Sequence, residues 1–357
     1  MMSIETLTSA GPIHWGVMLA QGWKGELATA GWERSWAVAR DWATHVEALG
    51  FHGIWVFDHF QPYPARDNSP VLEAWTTLAA LSQVTERMLI GTLVSCAGYR
   101  NATITMRMAE NLDILSVGRF CLGLGAGWDR PEFEWLDIPF HSAAERSDCL
   151  EAVLRACHSA WRGPGTGRRG LAAEAQADAH RRPLLLVGGG GERRTLVAAA
   201  AYADAVNWQV GVDEFSRKSR VFADLCDAAG RDPGSVRRTH APNFQVFDSE
   251  REFCRWRQHE DRGMSSEDVY AYIRARGAFY GTASAVEATI EEFIEAGCGG
   301  FMIFCNSAPT LRSLQQLSSL APVRHVFQHG SNPEDGRLPA SLASEMSPCE
   351  RHVAEDR

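Results

Sequence analysis

The chain has 357 residues, 45% hydrophobic and 22% charged, enough for one large α/β domain or two smaller ones. Its 35 basic and 44 acidic residues give a net charge of −9 with no long basic stripe, which argues against a nucleic-acid or anionic-membrane partner. No apolar run approaches the roughly 20 residues of a membrane span, and the start, Met1-Met2-Ser3-Ile4-Glu5-Thr6, lacks a basic, apolar leader.

Nine scattered cysteines without a CxxC pair fit reduced thiols, so a cytoplasmic location is expected. Twelve histidines without HExxH or paired ligand spacing predict no metal site.

The predicted elements alternate. A first strand spans 13–19, and an amphipathic helix over 32–49 ends at Gly50, a natural C-cap. A buried strand over 53–57 leads into a proline-bearing loop, followed by a helix over 72–84 and a strand over 87–94. A helix over 102–116 stops before Gly118, a fourth strand covers 119–125, and a helix covers 143–161. The fifth strand, 183–187, is followed by four glycines and a helix-like stretch over 192–202. Then come a strand over 205–208, a helix over 212–229 and a strand over 239–247. A charged helical insertion, 249–277, precedes a helix over 284–296, the eighth strand over 300–304 and a last helix over 309–320.

Eight strands alternating with helices predict a (β/α)8 barrel; periodicity does not show closure, so a doubly wound open sheet stays possible. The stretch 163–182 has no apolar period. The polar end from 326 to 357 is expected to be a disordered tail behind a single domain over 12–325.

The run Gly188 to Gly191 combines a turn without side chains and a helix start, whose N–H groups and dipole suit a phosphate. Glycine also serves ordinary tight turns, and neither GxGxxG nor a following Lys-Ser/Thr is present. In a barrel the chemistry sits on the loops after the strand C-termini. That rule selects Asp58 to Tyr63, Ser95 to Asn101, Ala126 to Arg130 and the glycine run. His59 is the candidate for proton transfer, with a structural role, holding its loop through Asp58, as the other reading. Trp15, Trp23, Trp55, Trp128 and Trp208 fall near strand ends, where they could wall a planar ligand or simply pack the core. Glu110, Asp113 and Arg146 read as ordinary helix charges that pair with one another.

Several stretches resemble, in order, the luciferase-like monooxygenase superfamily, specifically its branch of oxidoreductases that use the deazaflavin coenzyme F-420. They are Gly16-Val17-Met18-Leu19-Ala20-Gln21-Gly22-Trp23, Ile54 to Pro62, Leu89 to Val94, Leu122 to Trp128 and Gly188 to Arg194. The segments Ala203 to Asn207 and Gly281-Thr282 also fit, so the likeness covers about residues 12–325.

The resemblance implies a barrel that binds a reduced flavin or deazaflavin at the strand C-terminal face. It implies a bulge, often with a non-proline cis peptide, at Leu93–Val94 behind the ring. Gly125, Ala126 and Gly127 would lie at the ring edge, and Gly189, Gly190 and Gly191 would hold the phosphate. Asp58 would belong to the cofactor loop and His59 would face the hydride-transfer carbon. Trp23, Tyr63 and Trp128 would line the substrate pocket. In the sugar-phosphate dehydrogenases of that branch a glutamate acid/base stands where this chain has Trp128, which argues against sugar-phosphate oxidation. The 163–182 segment is also shorter than the family's usual stretch before strand five.

The expected function is hydride transfer between reduced deazaflavin and an organic small molecule, at a C=C, C=N or C=O bond or in reverse. The first alternative is an FMN-dependent two-component monooxygenase supplied by a separate reductase. A non-catalytic flavin-binding barrel, or one that has lost its ligand, is the third reading. The resemblance further implies a homodimer.

Overall fold

Short runs, too short for helices and in most cases apolar and buried on both faces, become the strands of the computed structural model. The structure describes residues 7, 11–162, 182–260, 271, 273–305, 311–320 and 323. The irregular segment over 163–181 and the tail from 326 lie outside the described residues, as does part of the 249–277 insertion.

The strands are β1 (His14–Met18), β2 (Gly53–Val56), β3 (Leu89–Thr92), β4 (Ser95–Cys96), β5 (Phe120–Gly125), β6 (Leu184–Gly188), β7 (Ala205–Trp208), β8 (Arg237–His240), β9 (Asn243–Phe247), β10 (Phe279–Thr282) and β11 (Gly300–Cys305). All pair in parallel in the order β1-β2-β3-β5-β6-β7-β8-β11, and β11 returns to β1 with His14 opposite Gly300 and Val17 opposite Ile303. This closure makes the molecule a (β/α)8 barrel and removes the open-sheet alternative.

The helices are α1 (Gly31–Ala48), α2 (Ala74–Val84), α3 (Ala102–Leu115), α4 (Arg130–Trp135), α5 (Ala143–Arg162), α6 (Thr195–Tyr202), α7 (Val212–Ala228), α8 (Glu250–Glu260), α9 (Ala283–Glu295) and α10 (Leu311–Ser319).

Five elements differ from the sequence expectation. The strand expected over 239–247 is two strands broken at Pro242, which has no N–H to donate: β8 pairs with β7 and the start of β11 in the barrel, while β9 pairs with the end of β11 and with β10. Strand β10 follows directly after the charged insertion, where no strand is predicted. The run over 87–94 ends as a strand at Thr92, and the short helix α4 stands where no element is predicted. Helix α6 begins at Thr195, three residues after the expected start, so a turn separates it from the glycines.

Alternation along each strand sorts the core. Val17, Ile54, Ile90, Leu122, Val187 and Ile303 pack outward against the helices. Met18, Trp55, Leu93, Leu186, Met302 and Phe304 fill the barrel together with Leu7, upstream of the expected domain start. Trp55 crosses the interior where glycines leave room: a Cβ on Gly16 would lie 2.3 Å from its Nε1, and one on Gly91 would lie 2.6 Å from its Cζ3.

The barrel floor carries a buried arginine beside two histidines. Arg237 donates to the carbonyls of Gly11 and Gly299, and His14 and His52 lie close by. His52 Nδ1 accepts the Trp15 N–H at 3.0 Å, which requires the unprotonated nitrogen. Burial first, then neighbouring Arg237, lowers the His52 pKa to about 4; burial and the charges of His52 and Arg237 lower that of His14 well below 6.5. The unfolded chain therefore takes up protons below about pH 6.5 that the folded chain refuses until lower pH. The stability that His52 contributes is fully present above that value and falls with acid toward pH 4, by about 1.4 kcal/mol per pH unit, and His14 acts in the same direction. Urea denaturation at pH 7 and pH 5 is expected to show this loss, and a His52→Asn variant a shallower one.

Candidate active site

The site is built on the loops that follow β2, β3 and β5. Gln21, 1% exposed, fixes the start of the β2 loop as a substitute strand partner. Its amide accepts from Phe57 N–H at 2.8 Å and donates to the carbonyls of Phe57 and Leu72. The next two residues then diverge. Asp58 is 2% exposed and its carboxylate receives Ser95 Oγ at 2.7 Å, the Cys96 N–H at 3.1 Å and a bidentate Arg100 at 2.6 and 3.0 Å. What Asp58 can offer a cofactor is therefore the loop it holds in place.

The pairing of Asp58 with His59 that the alternative, structural reading requires does not form among the described residues. His59 instead bonds Glu132 through Nδ1 at 2.7 Å, with the glutamate side chain fully buried. Glu132 also accepts the N–H groups of Phe60 and Gln61, at 2.7 and 3.2 Å, and the Tyr99 hydroxyl, at 2.7 Å. Burial pushes the Glu132 carboxyl up, but these donors outweigh it and hold the group below its ordinary range. Burial and the adjacent carboxylate push the Tyr99 phenol up, so it stays a donor.

Aromatic rings surround His59. Trp23 lies parallel to it with centroids 4.5 Å apart, Trp128 meets it edge-on at 5.8 Å, and Tyr63 stands 5.7 Å from Trp23 and 5.4 Å from Trp128. The Lys24 ammonium sits 4.2 Å from the Trp23 ring centre and 4.5 Å from that of Tyr63. Trp128 remains 54% exposed, an apolar surface at the mouth. Trp15, Trp55 and Trp208 are core residues, at most 2% exposed, so core packing is their role.

The bulge after β3 contains a cis peptide at Leu93–Val94. The Val94 side chain rests on the ends of β5 and β6, where a Cβ on Gly125 or Gly188 would come within 2.6 or 2.7 Å of its methyls. Gly127 has φ +81°, and a Cβ there would meet Cys96 Sγ at 2.6 Å. Burial pushes the Cys96 thiol up to about 12, which leaves it protonated and unsuited to act as a nucleophile. Ala126 lies between these two glycines, partly buried against the core.

At the glycine run, Gly189 has φ +114° and its N–H is already donated to Asn207 O at 3.2 Å. The amides of Gly190 and Gly191 make no hydrogen bond among the described residues. A Cβ on Gly190 would stand 3.0 Å from Lys218 Nζ, and one on Gly191 3.1 Å from Thr195 Oγ1. Lys218 is itself tied to Gly190 O at 2.9 Å and to Glu192 and Glu214. The cradle thus presents two open amides and the Thr195 hydroxyl, donors that fit a phosphate, while the Lys218 ammonium is already engaged.

Sequence reasoning places Tyr99, Arg100 and Asp129 on the selected loops without their partners, and it misses Glu132 and Arg66, the latter 2.5 Å from Asp129. These partnerships carry no local signal: Glu132 lies 73 residues from His59, on a one-and-a-half-turn helix. Arg146 does not pair with Glu110 or Asp113; it bonds the carbonyls of Gly127 and His141, while Glu110 meets Arg107. Ligand atoms of His59, Asp129 and Glu132 lie within 4.8 Å of one another, but Arg66 and the donors to Glu132 occupy the two carboxylates.

Residues 14–296 match the luciferase-like monooxygenase family. The chain belongs to that family. It is 30% identical over 199 residues to the F420-dependent hydroxymycolic acid dehydrogenase of Mycobacterium tuberculosis, over 54% of this chain and 55% of that one. The chain thus spans about half the length of that relative. It is 36% identical over 89 residues to the pyrimidine monooxygenase RutA of Pseudomonas syringae, over 24% of each chain. A solved F420-dependent secondary alcohol dehydrogenase, in complex with an F420-acetone adduct, superimposes with TM-score 0.67 at 18% identity. That match covers 87% of this chain and 99% of the other, and bears on the fold alone.

Proposed function

We propose that this luciferase-like protein is a deazaflavin (F-420)-dependent oxidoreductase. It transfers a hydride between the reduced cofactor and a C=C, C=N or C=O bond of an organic small molecule, or in reverse. The observation that carries this reading is the buried Glu132–His59 pair set among Trp23, Tyr63 and Trp128, on the barrel face that also holds the glycine cradle. The F420-dependent relative supports the choice of cofactor, because its similarity covers more than twice as much of this chain as that of the pyrimidine monooxygenase.

When bound, reduced deazaflavin supplies the hydride from its ring carbon C5. The chain's residues do the rest. Gly190 and Gly191 hold the phosphate through their amides, and the Leu93–Val94 bulge with Gly125, Ala126 and Gly127 shapes the ring site. Asp58 keeps the 95–100 loop in place through Ser95, Cys96 and Arg100. Trp23, Tyr63 and Trp128 orient an apolar or planar substrate and exclude water from it. His59 Nε2 gives the proton that accompanies the hydride, or takes it in oxidation. Trp128 is neither an acid nor a base, so sugar phosphates are not the proposed substrates.

The second reading, an FMN-dependent monooxygenase fed by a separate reductase, rests on the likeness to the pyrimidine monooxygenase. Anaerobic titration with each reduced cofactor separates the two. Reduced deazaflavin is expected to bind, and its phosphate-free analogue about tenfold or more weakly, as for the loss of a charged hydrogen bond. Binding of FMN alone, with oxygen consumed in turnover, would sink the deazaflavin reading. No binding of either cofactor would leave the non-catalytic barrel.

A homodimer is part of the proposal, supported by the exposed apolar side chains Ile104, Ile114, Leu115 and Val117 on and just beyond α3, which a second copy would cover. Sedimentation as a monomer at tens of micromolar would count against it. The reading is of a protein working in the cytoplasm, and among the described residues no helix is long and apolar enough to cross a membrane.

A further inference from the structure

Resting on the proposed role of His59, we infer that Glu132 is a positioning residue that holds His59 as the Nδ1–H tautomer and so reserves Nε2 for the transferred proton. The deduction follows from which groups can donate. Oε1 of Glu132 faces two backbone N–H groups, from Phe60 and Gln61, which can only donate to it. Oε2 receives the Tyr99 hydroxyl and lies 2.7 Å from His59 Nδ1. A carboxylate so surrounded is ionised and has no proton to give, so Nδ1 must be the donor. In the neutral ring the proton then lies on Nδ1 and the lone pair on Nε2.

Two further contacts keep the ring in this setting. The parallel Trp23 face at 4.5 Å and the Trp128 edge at 5.8 Å confine it. A half-turn of the imidazole would put a C–H where the Glu132 bond is made, leaving a buried carboxylate oxygen short of a donor. Asp129, the other acid close to the ring, is neutralised by Arg66. Nε2 makes no hydrogen bond among the described residues, and the side chain keeps 13% exposure. The proton cycle can therefore be written in full. The imidazolium gives Nε2–H to the substrate atom that gains the electron pair of the broken double bond, and it becomes the neutral Nδ1–H ring. Solvent then restores the Nε2 proton.

The test is nitrogen-15 NMR of the full, cofactor-free chain labelled at histidine, at a pH where the ring is neutral, with His59→Gln identifying the resonances. His59 is expected to show a protonated Nδ1 and a bare Nε2 in the wild type and in Tyr99→Phe, which keeps the Glu132 bond. Glu132→Gln can donate to Nδ1 and is expected to shift the ring toward Nε2–H. With reduced deazaflavin, the same variant should lose about 10²-fold or more in kcat while cofactor Kd changes only a few-fold, and Glu132→Asp should recover part of the loss. An Nε2–H wild-type ring, or an unchanged tautomer in Glu132→Gln, overturns the inference. Should Glu132→Gln fail to fold, the wild-type and Tyr99→Phe spectra decide it. Absence of deazaflavin binding would refute the proposed function and leave the tautomer result standing.

Discussion

Replacement of His59 by alanine is expected to lower kcat for deazaflavin-linked reduction by about 10²- to 10⁴-fold, the range for removing a positioned general acid. Cofactor affinity should change by only a few-fold, because the groups assigned to the phosphate, Gly190 and Gly191, lie on the β6 loop and not on the β2 loop. The variant removes four contacts: the bond to Glu132, the parallel stack on Trp23, the edge contact with Trp128 and the tilted contact with Phe57. A reduced thermal midpoint is therefore expected as well, since Glu132 stays buried with one donor fewer. Stopped-flow measurement of the single-turnover rate at saturating cofactor separates chemistry from binding. A His59→Ala enzyme with wild-type single-turnover rate would show that His59 moves no proton, whatever its effect on stability.

The largest stability effect is expected for Arg100→Ala. Arg100 is the only charged donor to Asp58 among the described residues, and the aspartate side chain is 1% exposed. Truncation leaves a buried carboxylate with the Ser95 hydroxyl and the Cys96 N–H alone. Breaking such a pair from one side costs about 3–5 kcal/mol, well beyond the worth of an exposed ion pair. Arg100→Ala should therefore move the urea midpoint strongly at pH 7. The same arginine also reaches Glu73, the N-cap of α2, at 3.2 Å, so the damage spreads to that helix start. The double variant Asp58→Asn, Arg100→Ala should regain part of the loss, because the remaining amide carries no charge. A single variant within 1 kcal/mol of wild type would mean that solvent reaches Asp58.

The strand–helix alternation was legible because parallel strands covered on both faces must be short apolar runs, while the helices between them show a 3.6-residue period. Two errors have local causes. Pro242 lies within one apolar run and divides it between barrel and side sheet, and the β10 run Phe279–Thr282 is brief and follows a charged stretch. The site was half legible. The residues after β2, β3, β5 and β6 follow from the rule that barrel chemistry sits at strand C-termini. The partners of those residues do not follow from it. The Asp58–His59 pair looked self-sufficient in sequence, yet Asp58 turns to Arg100, 42 residues on, and His59 to Glu132, 73 residues on. Each carboxylate found the nearest donors only after the loops were folded over one another.

By itself the sequence determined the class of fold, the glycines that leave room for a backbone or a ligand, and the loops that carry the reacting groups. These are properties of single residues and of local periods, governed by apolar burial and by the space a missing Cβ leaves. Only the tertiary structure decided closure of the barrel, the separation of core tryptophans from those at the mouth, and the carboxylate that orients His59. Those depend on distances between residues far apart in the chain. A buried charge has no sequence signature for its partner; it pairs with whatever donor the packed loops bring within hydrogen-bond reach.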